Sequence, residues 1–289
     1  MRRSGLFAVA VALVACGGGT GAAPSPAPPI AGSPTSIALP VLWRSTAAPS
    51  GAPSGSEWVA IDAFDGKTLV ASVQRGSAAT SLPVLVMLHP DGGLRTQFLQ
   101  LSANLAKAGF VTITPCWAQG GDASDPPIAC SSGAPSRTSA ADLTKDVMSI
   151  ADAARTLPGA RPDRLALVGH SGGAQAAFIV GSMTTNIEAV VAMSAGYGPN
   201  IRQRWGTTLP DQLDAMHVPF LIVHGVADQQ GPGTAIDLVR AFEKTAREKG
   251  KTVEAIYVDG APHGFPYATE YWTADLQAQV VAFLQKHLK

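Results

Sequence analysis

Scarcity is the first thing the sequence shows. Its 289 residues include three cysteines, and charged side chains make up 15% of the chain, 21 basic against 21 acidic. No cluster of lysine or arginine breaks that balance, so nothing marks a nucleic-acid surface. The apolar run near the N-terminus, residues 6–14, is nine positions long. A helix across a bilayer core of about 30 Å needs roughly 20. The pair Cys116 and Cys130 has no histidine between its members and lacks Cys-x-x-Cys spacing, which speaks against a metal or redox site. No internal repeat is visible.

What is present begins with Arg2 and Arg3 ahead of that apolar run, the shape of a secretory signal peptide over residues 1–15. The stretch "LVAC" resembles the lipobox of bacterial lipoproteins and makes Cys16 the candidate for lipidation. The alternative is an ordinary signal followed by a coincidental cysteine. Removal of residues 1–15 takes Arg2 and Arg3 away and leaves 19 basic residues against 21 acidic. Residues 16–56 are Gly, Ala, Pro and Ser with almost no charge, and such a composition cannot bury a core. They read as a tether, of which the segment 17–35 alone would reach about 25 Å. The expected location is therefore outside the cytoplasm, lipid-anchored to the bacterial cell envelope on its periplasmic or outer surface. In an oxidising compartment Cys116 and Cys130 are close enough in sequence to form a disulfide, with a metal or redox site as the alternative.

Residues 57–289 have ordinary globular composition and the length of one α/β domain. "VAIDAFDGKTLVASVQRG" predicts a hairpin around Asp65-Gly66. "LPVLVMLH" is a continuous apolar run, as in a strand buried on both faces. Further strands are expected at 111–115, 163–169, 187–195, 218–225 and 252–260. Helical spacing appears at 96–110, 139–156, 172–183, 233–249 and 273–288. This alternation predicts a mostly parallel sheet with helices on both faces and an antiparallel N-terminal hairpin. In such sheets ligands sit beyond the carboxyl ends of the strands, so residues that do chemistry should follow strands directly.

"LALVGHSGG" places Ser171 between a strand and a helix, inside G-x-S-x-G. Gly169 and Gly173 permit the sharp turn that lifts a hydroxyl above the sheet. A serine hydroxyl needs a positioned base. Among six histidines, His263 alone lies in a loop directly after the last strand. His89, His170 and His224 read as supports for turns, and His217 and His287 as surface residues. The imidazole needs a carboxylate. Asp228, three residues past Gly225, fits, with Asp259 as a rival placed still within its strand. Developing negative charge needs donors: the N–H of Gly172, and one from the loop "HPDGG", at Asp91 with Gly92 beside it. Pro90 has no N–H and cannot be that donor.

"GHSGG", "HGVAD" and "APHGF" carry a resemblance to the α/β-hydrolase superfamily over residues 57–289. The likeness is greatest to its secreted dienelactone-hydrolase-like and polyester- or lipid-esterase-like branches. It implies an α/β-hydrolase fold with the order Ser171, Asp228, His263, a carboxylic-ester hydrolase with an acyl-enzyme intermediate, and no cofactor or metal. Dienelactone hydrolases themselves use a cysteine nucleophile where this chain has Ser171. The expected partner is a small-molecule or polymeric ester, with no nucleic acid. About 22 residues between the strands ending near Ala195 and starting near Val218 are too few for a large cap. Residues 116–138 are the candidate roof, with Trp117, Tyr197 and Trp205 as candidates to line the pocket. A serine peptidase of the prolyl-oligopeptidase type is the alternative enzyme, although nothing here is long enough for its extra domain. A catalytically silent scaffold used for binding is the alternative outside enzymology.

Overall fold

A computed structural model describes residues 41–76, 81–118, 128, 130, 137, 139–231 and 233–289. The signal sequence, Cys16, the first part of the tether and most of the 116–138 loop lie outside them. Among the described residues no helix is long and apolar enough to cross a membrane.

Among the described residues nine strands form one sheet: β1 (Trp43–Ser45), β2 (Glu57–Asp62), β3 (Thr68–Arg75), β4 (Leu82–Leu88), β5 (Val111–Pro115), β6 (Ala160–His170), β7 (Ala189–Met193), β8 (Phe220–Gly225) and β9 (Val253–Val258). Their spatial order is β1-β2-β3-β5-β4-β6-β7-β8-β9. The pairs from β5 through β9 are parallel, while β1, β2 and β3 join antiparallel. The expected hairpin is β2–β3, in register from Glu57↔Val73 to Asp62↔Thr68.

Strand β1 corrects the tether. Trp43–Ser45 pair with Val59–Ile61, so the folded domain starts well before residue 57. Trp43 is half-buried against the core, and its Nε1–H donates to the Thr156 carbonyl at 3.2 Å. Arg44 reaches Asp62 at 2.6 Å. Three residues inside a Gly/Pro/Ser-rich stretch show no alternation, which is why the pattern missed them.

Helices α1 (Thr96–Lys107), α2 (Ala140–Arg155), α3 (Gly172–Met183), α4 (Arg202–Trp205), α5 (Leu209–Gln212), α6 (Ile236–Glu248) and α7 (Ala274–His287) complete the domain. The two-residue period of the strands sorts their side chains into two cores. Val84, Val86 and Leu88 of β4 face α2, α3 and α6, whereas Leu85 and Met87 face α1 and α7. The same split recurs in β6, β7 and β8. Ser139 caps α2 by accepting from the Asp142 N–H at 3.1 Å. Residues 194–217 hold a short 3-10 turn and the one-turn helices α4 and α5.

Cys116 and Cys130 are disulfide-bonded, with Cα atoms 5.4 Å apart. Cys116 directly follows β5, and the Ile128 N–H donates to the Leu94 carbonyl at 2.9 Å, so Ile128 rests on the loop that follows β4. Closing a loop of about 15 residues removes roughly 3 kcal/mol of unfolded-chain entropy in the simplest model. Cys116→Ser is therefore expected to lower Tm by roughly 6–12 °C in a domain of this size. It should also raise KM more than it lowers kcat. An unchanged Tm by calorimetry would remove the crosslink from the stability of the domain.

Candidate active site

Because β4, β6, β8 and β9 are parallel, the segments after them open at one edge of the sheet. Four such segments bring together Ser171, Asp228, His263 and the loop after β4.

Ser171 follows β6 directly, with φ +54° and ψ −118°, a left-handed conformation that costs of order 1–3 kcal/mol outside glycine. Packing on both sides holds it there. A Cβ on Gly169 would lie 2.1 Å from the Gly173 carbonyl, and one on Gly173 would lie 2.0 Å from the Leu88 carbonyl. The two glycines thus let strand, turn and helix α3 pass at distances that no side chain allows. The Ser171 N–H donates to the Met193 carbonyl at 2.9 Å, which ties the turn to β7.

Asp228 and His263 meet because two loops are stitched. The Ala227 N–H donates to the Ala261 carbonyl at 3.0 Å, and the Val226 N–H to the Val258 carbonyl at 2.9 Å. A Cβ on Gly225 would meet that Ala261 carbonyl at 2.2 Å, so this contact requires glycine. The result is a continuous chain of hydrogen bonds: Asp228 Oδ2 to His263 Nδ1 at 2.8 Å, and His263 Nε2 to Ser171 Oγ at 2.9 Å. Asp228 is buried. Burial raises its pKa, but the hydrogen bond and charge of His263, with the Gln230 N–H at 3.2 Å, outweigh that and hold it below the usual carboxylate range. Asp259 is exposed in the turn just past β9 and lines a surface hollow with Glu270 and Tyr271. Sequence alone placed it inside the strand; it stands one residue beyond.

With Asp228 ionised, Nδ1 of His263 carries the proton and Nε2 is free to accept the one on Ser171. The arrangement can therefore generate a nucleophilic oxygen at a helix N-terminus. There the N–H groups of the first turn have no intrahelical acceptor and favour negative charge.

The loop after β4 is turned by the Gly93 N–H donating to the Pro90 carbonyl at 3.0 Å. Pro90 is thus tolerated as an acceptor. Asp91 is brought against Gly172, since a Cβ there would lie 1.9 Å from Asp91 Oδ1. Its carboxylate also forms an ion pair with Arg204 of α4, a residue that sequence reasoning passed over. A carboxylate at that spot disfavours an oxyanion nearby unless Arg204 offsets its charge. The guanidinium in turn lies over the Trp205 ring, 5.6 Å from its centroid.

The three aromatic candidates for lining a pocket are buried. Trp117 is 0% exposed, Trp205 4% and Tyr197 5%. Trp117 donates from Nε1 to the His89 carbonyl at 3.3 Å and stacks on Trp205, with centroids 6.4 Å apart. Trp205 donates to Gln175 Oε1 at 3.0 Å. Tyr197 packs on Phe242 at 4.7 Å. All three brace the loops from behind rather than offering a face to solvent.

The turn histidines are buried and neutral. His89 Nδ1–H donates to the Pro90 carbonyl at 2.8 Å, and burial pushes its pKa down to about 4. His224 Nε2–H donates to the Thr234 carbonyl at 2.8 Å and lies 3.6 Å from Asp228 Oδ2. His170 is held down to about 3, chiefly by burial and then by the charge of His263. An unfolded histidine takes up a proton near pH 6.5, whereas these native rings refuse it to about 4 and about 3. The stability they supply is therefore complete above pH 6.5 and is lost as pH falls through that interval. For His89 the loss amounts to roughly 3 kcal/mol. The free energy of urea unfolding should decline from pH 6.5 to 4, and His89→Gln should flatten the decline. An identical slope in the variant would exclude His89 as a source.

Comparison with known proteins bears on the fold and the family. No curated protein matches the chain in sequence. Among solved structures, Est1E from Butyrivibrio proteoclasticus superposes with a TM-score of 0.60 at 16% identity, covering 81% of this chain and 99% of that one. The Pyrococcus furiosus esterase Pf2001 gives 0.62 at 15%, covering 81% and 93%. Thermogutta terrifontis esterase 2, phosphoramylated by tabun, gives 0.58 at 17%, covering 81% and 93%. At these identities the likeness speaks for the fold. The model of the dienelactone hydrolase family matches residues 70–286. With that match over most of its length, on an α/β-hydrolase sheet, the chain belongs to the dienelactone hydrolase family and is a hydrolase.

Proposed function

We propose that the protein is a serine carboxylic-ester hydrolase in which Ser171 attacks the ester carbonyl and forms an acyl-enzyme. The observation that carries this reading is the unbroken Ser171–His263–Asp228 hydrogen-bond chain at 2.9 and 2.8 Å. His263 takes the Ser171 proton as the new C–O bond forms and returns it to the departing alcohol. It then activates water to release the acid. The Gly172 N–H, with the Asp91 or Gly92 N–H from the facing loop, receives the oxyanion. The family's cysteine chemistry gives way to an alkoxide-type attack because position 171 is serine. The reaction of the Thermogutta esterase with tabun is the behaviour expected of such a serine. Incubation with a fluorophosphonate probe should label Ser171, and hydrolysis of p-nitrophenyl esters of graded acyl length should follow. Folded protein that neither labels nor turns over any ester would leave a silent scaffold. Cleavage of peptides in preference to esters would favour the peptidase alternative.

Export and lipidation at Cys16 complete the proposal. They rest on "LVAC" and on the crosslinked Cys116–Cys130 pair, which is stable in an oxidising compartment. Cys16→Ala should move the protein out of the membrane fraction. An unchanged distribution would remove the anchor and leave the ester chemistry untouched.

A further inference from the structure

His170, the residue between Gly169 and the nucleophile, touches the far side of the base. Its Nε2 lies 2.8 Å from the main-chain carbonyl of His263, and its Nδ1 lies 2.8 Å from the Tyr267 hydroxyl. The two rings, His170 and His263, are 5.2 Å apart at their centroids, and Tyr267 meets His170 edge-on at 5.0 Å. A carbonyl can only accept, so Nε2 of His170 must carry hydrogen. The ring is buried and neutral, so Nδ1 is bare and must accept from the Tyr267 O–H. The tautomer is therefore dictated from both ends, and each partner belongs to the loop that carries the base.

We infer that His170 and Tyr267 are positioning residues, which fix the main chain of His263 so that its ring stays within reach of Ser171. The inference rests on the proposed role of Ser171 and His263. The physical reason is leverage. His263 sits in a loop, and its ring keeps its bonds to Asp228 and Ser171 only while its main chain is gripped in place. His170 supplies that grip from the end of β6, the same strand that delivers Ser171. Nucleophile and base are thereby referred to one rigid element, and errors in the loop after β9 do not enter the distance between them. A displacement of about 1 Å between reacting groups is enough to cost on the order of 100-fold in rate.

The test uses full-length protein and p-nitrophenyl esters. His170→Phe should lower kcat by roughly 10–100-fold with KM within about threefold, since the change spares the substrate's own contacts. Tyr267→Phe should cost about tenfold, because loss of the hydroxyl frees the tautomer. His170→Gln keeps an N–H donor and a carbonyl acceptor on one side chain and should recover part of the rate. Nitrogen-15 spectra of histidine-labelled protein should show the His170 ring protonated at Nε2 and bare at Nδ1. The inference is overturned if folded His170→Phe turns over like wild type, if glutamine restores nothing, or if the ring proves to be protonated at Nδ1. Should His170→Phe fail to fold, Tyr267→Phe and the spectra decide. Ser171→Ala separates the two levels. If that variant keeps full activity, the reading beneath the inference has failed. If it is dead while His170→Phe is normal, only the inference has.

Discussion

Ser171→Ala or His263→Ala is expected to lower kcat by roughly 10⁴–10⁶-fold while the protein stays folded. The size follows from how the two groups act as a unit. Ser171 Oγ is a poor nucleophile until its proton has somewhere to go, and the only ring nitrogen within reach is His263 Nε2, at 2.9 Å. Removing either leaves what binding and the main-chain donors around Gly172 can do by themselves. The double variant should be no worse than the poorer single one. Circular dichroism and thermal melts would establish that the fold survives, because neither side chain is a core element. A loss of tenfold or less in either variant would mean that the chemistry lies elsewhere.

Asp228→Asn is expected to cost about 10⁴-fold, nearly as much, although it changes one atom. The carboxylate accepts from His263 Nδ1–H at 2.8 Å. An amide in its place donates to Nδ1 and drives the proton to Nε2, where it blocks acceptance from Ser171. Asp259→Asn should leave kcat within about twofold, since Asp259 is exposed beyond β9 and does not reach the ring. The two variants measured side by side settle which acid serves. A crippled Asp259→Asn with a mild Asp228→Asn would reverse the assignment.

Much of this site was legible because its parts are locally encoded. Gly169, Ser171 and Gly173 declare a tight turn within five residues, and each partner follows its own strand at once. The alternation of strands and helices was legible for a similar reason, since periods of two and of about 3.6 are carried by the local pattern itself. The failures share the opposite property. Trp43–Ser45 form a strand only because β2 offers them an edge, and nothing within those three residues announces it. Trp117 and Tyr197 sit in loops and Trp205 ends the one-turn α4, where an aromatic ring packs inward or faces a ligand according to neighbours distant in the chain. Arg204 meets Asp91 across more than a hundred residues, and its role could not be read from either neighbourhood. The clamp of His170 on His263 spans 93 residues in the same way. From its own neighbourhood His170 reads only as a support for its turn.

Strand β1 also decides where mechanical load would enter the molecule. A pull on the chain at residue 41 reaches the sheet at its outermost strand, held by three residue pairs, Trp43↔Ile61, Arg44↔Ala60 and Ser45↔Val59. Four strands, β2, β3, β5 and β4, lie between it and β6, which carries Ser171. So short a pairing, with the Trp43 bond to Thr156 behind it, would yield before the longer strands do and release the run of chain up to β2. The parallel strands that set the distance between Ser171 and His263 would feel nothing until that slack was spent. The edge strand would thus behave as a fuse, yielding first and leaving the geometry of the hydrolase unstrained.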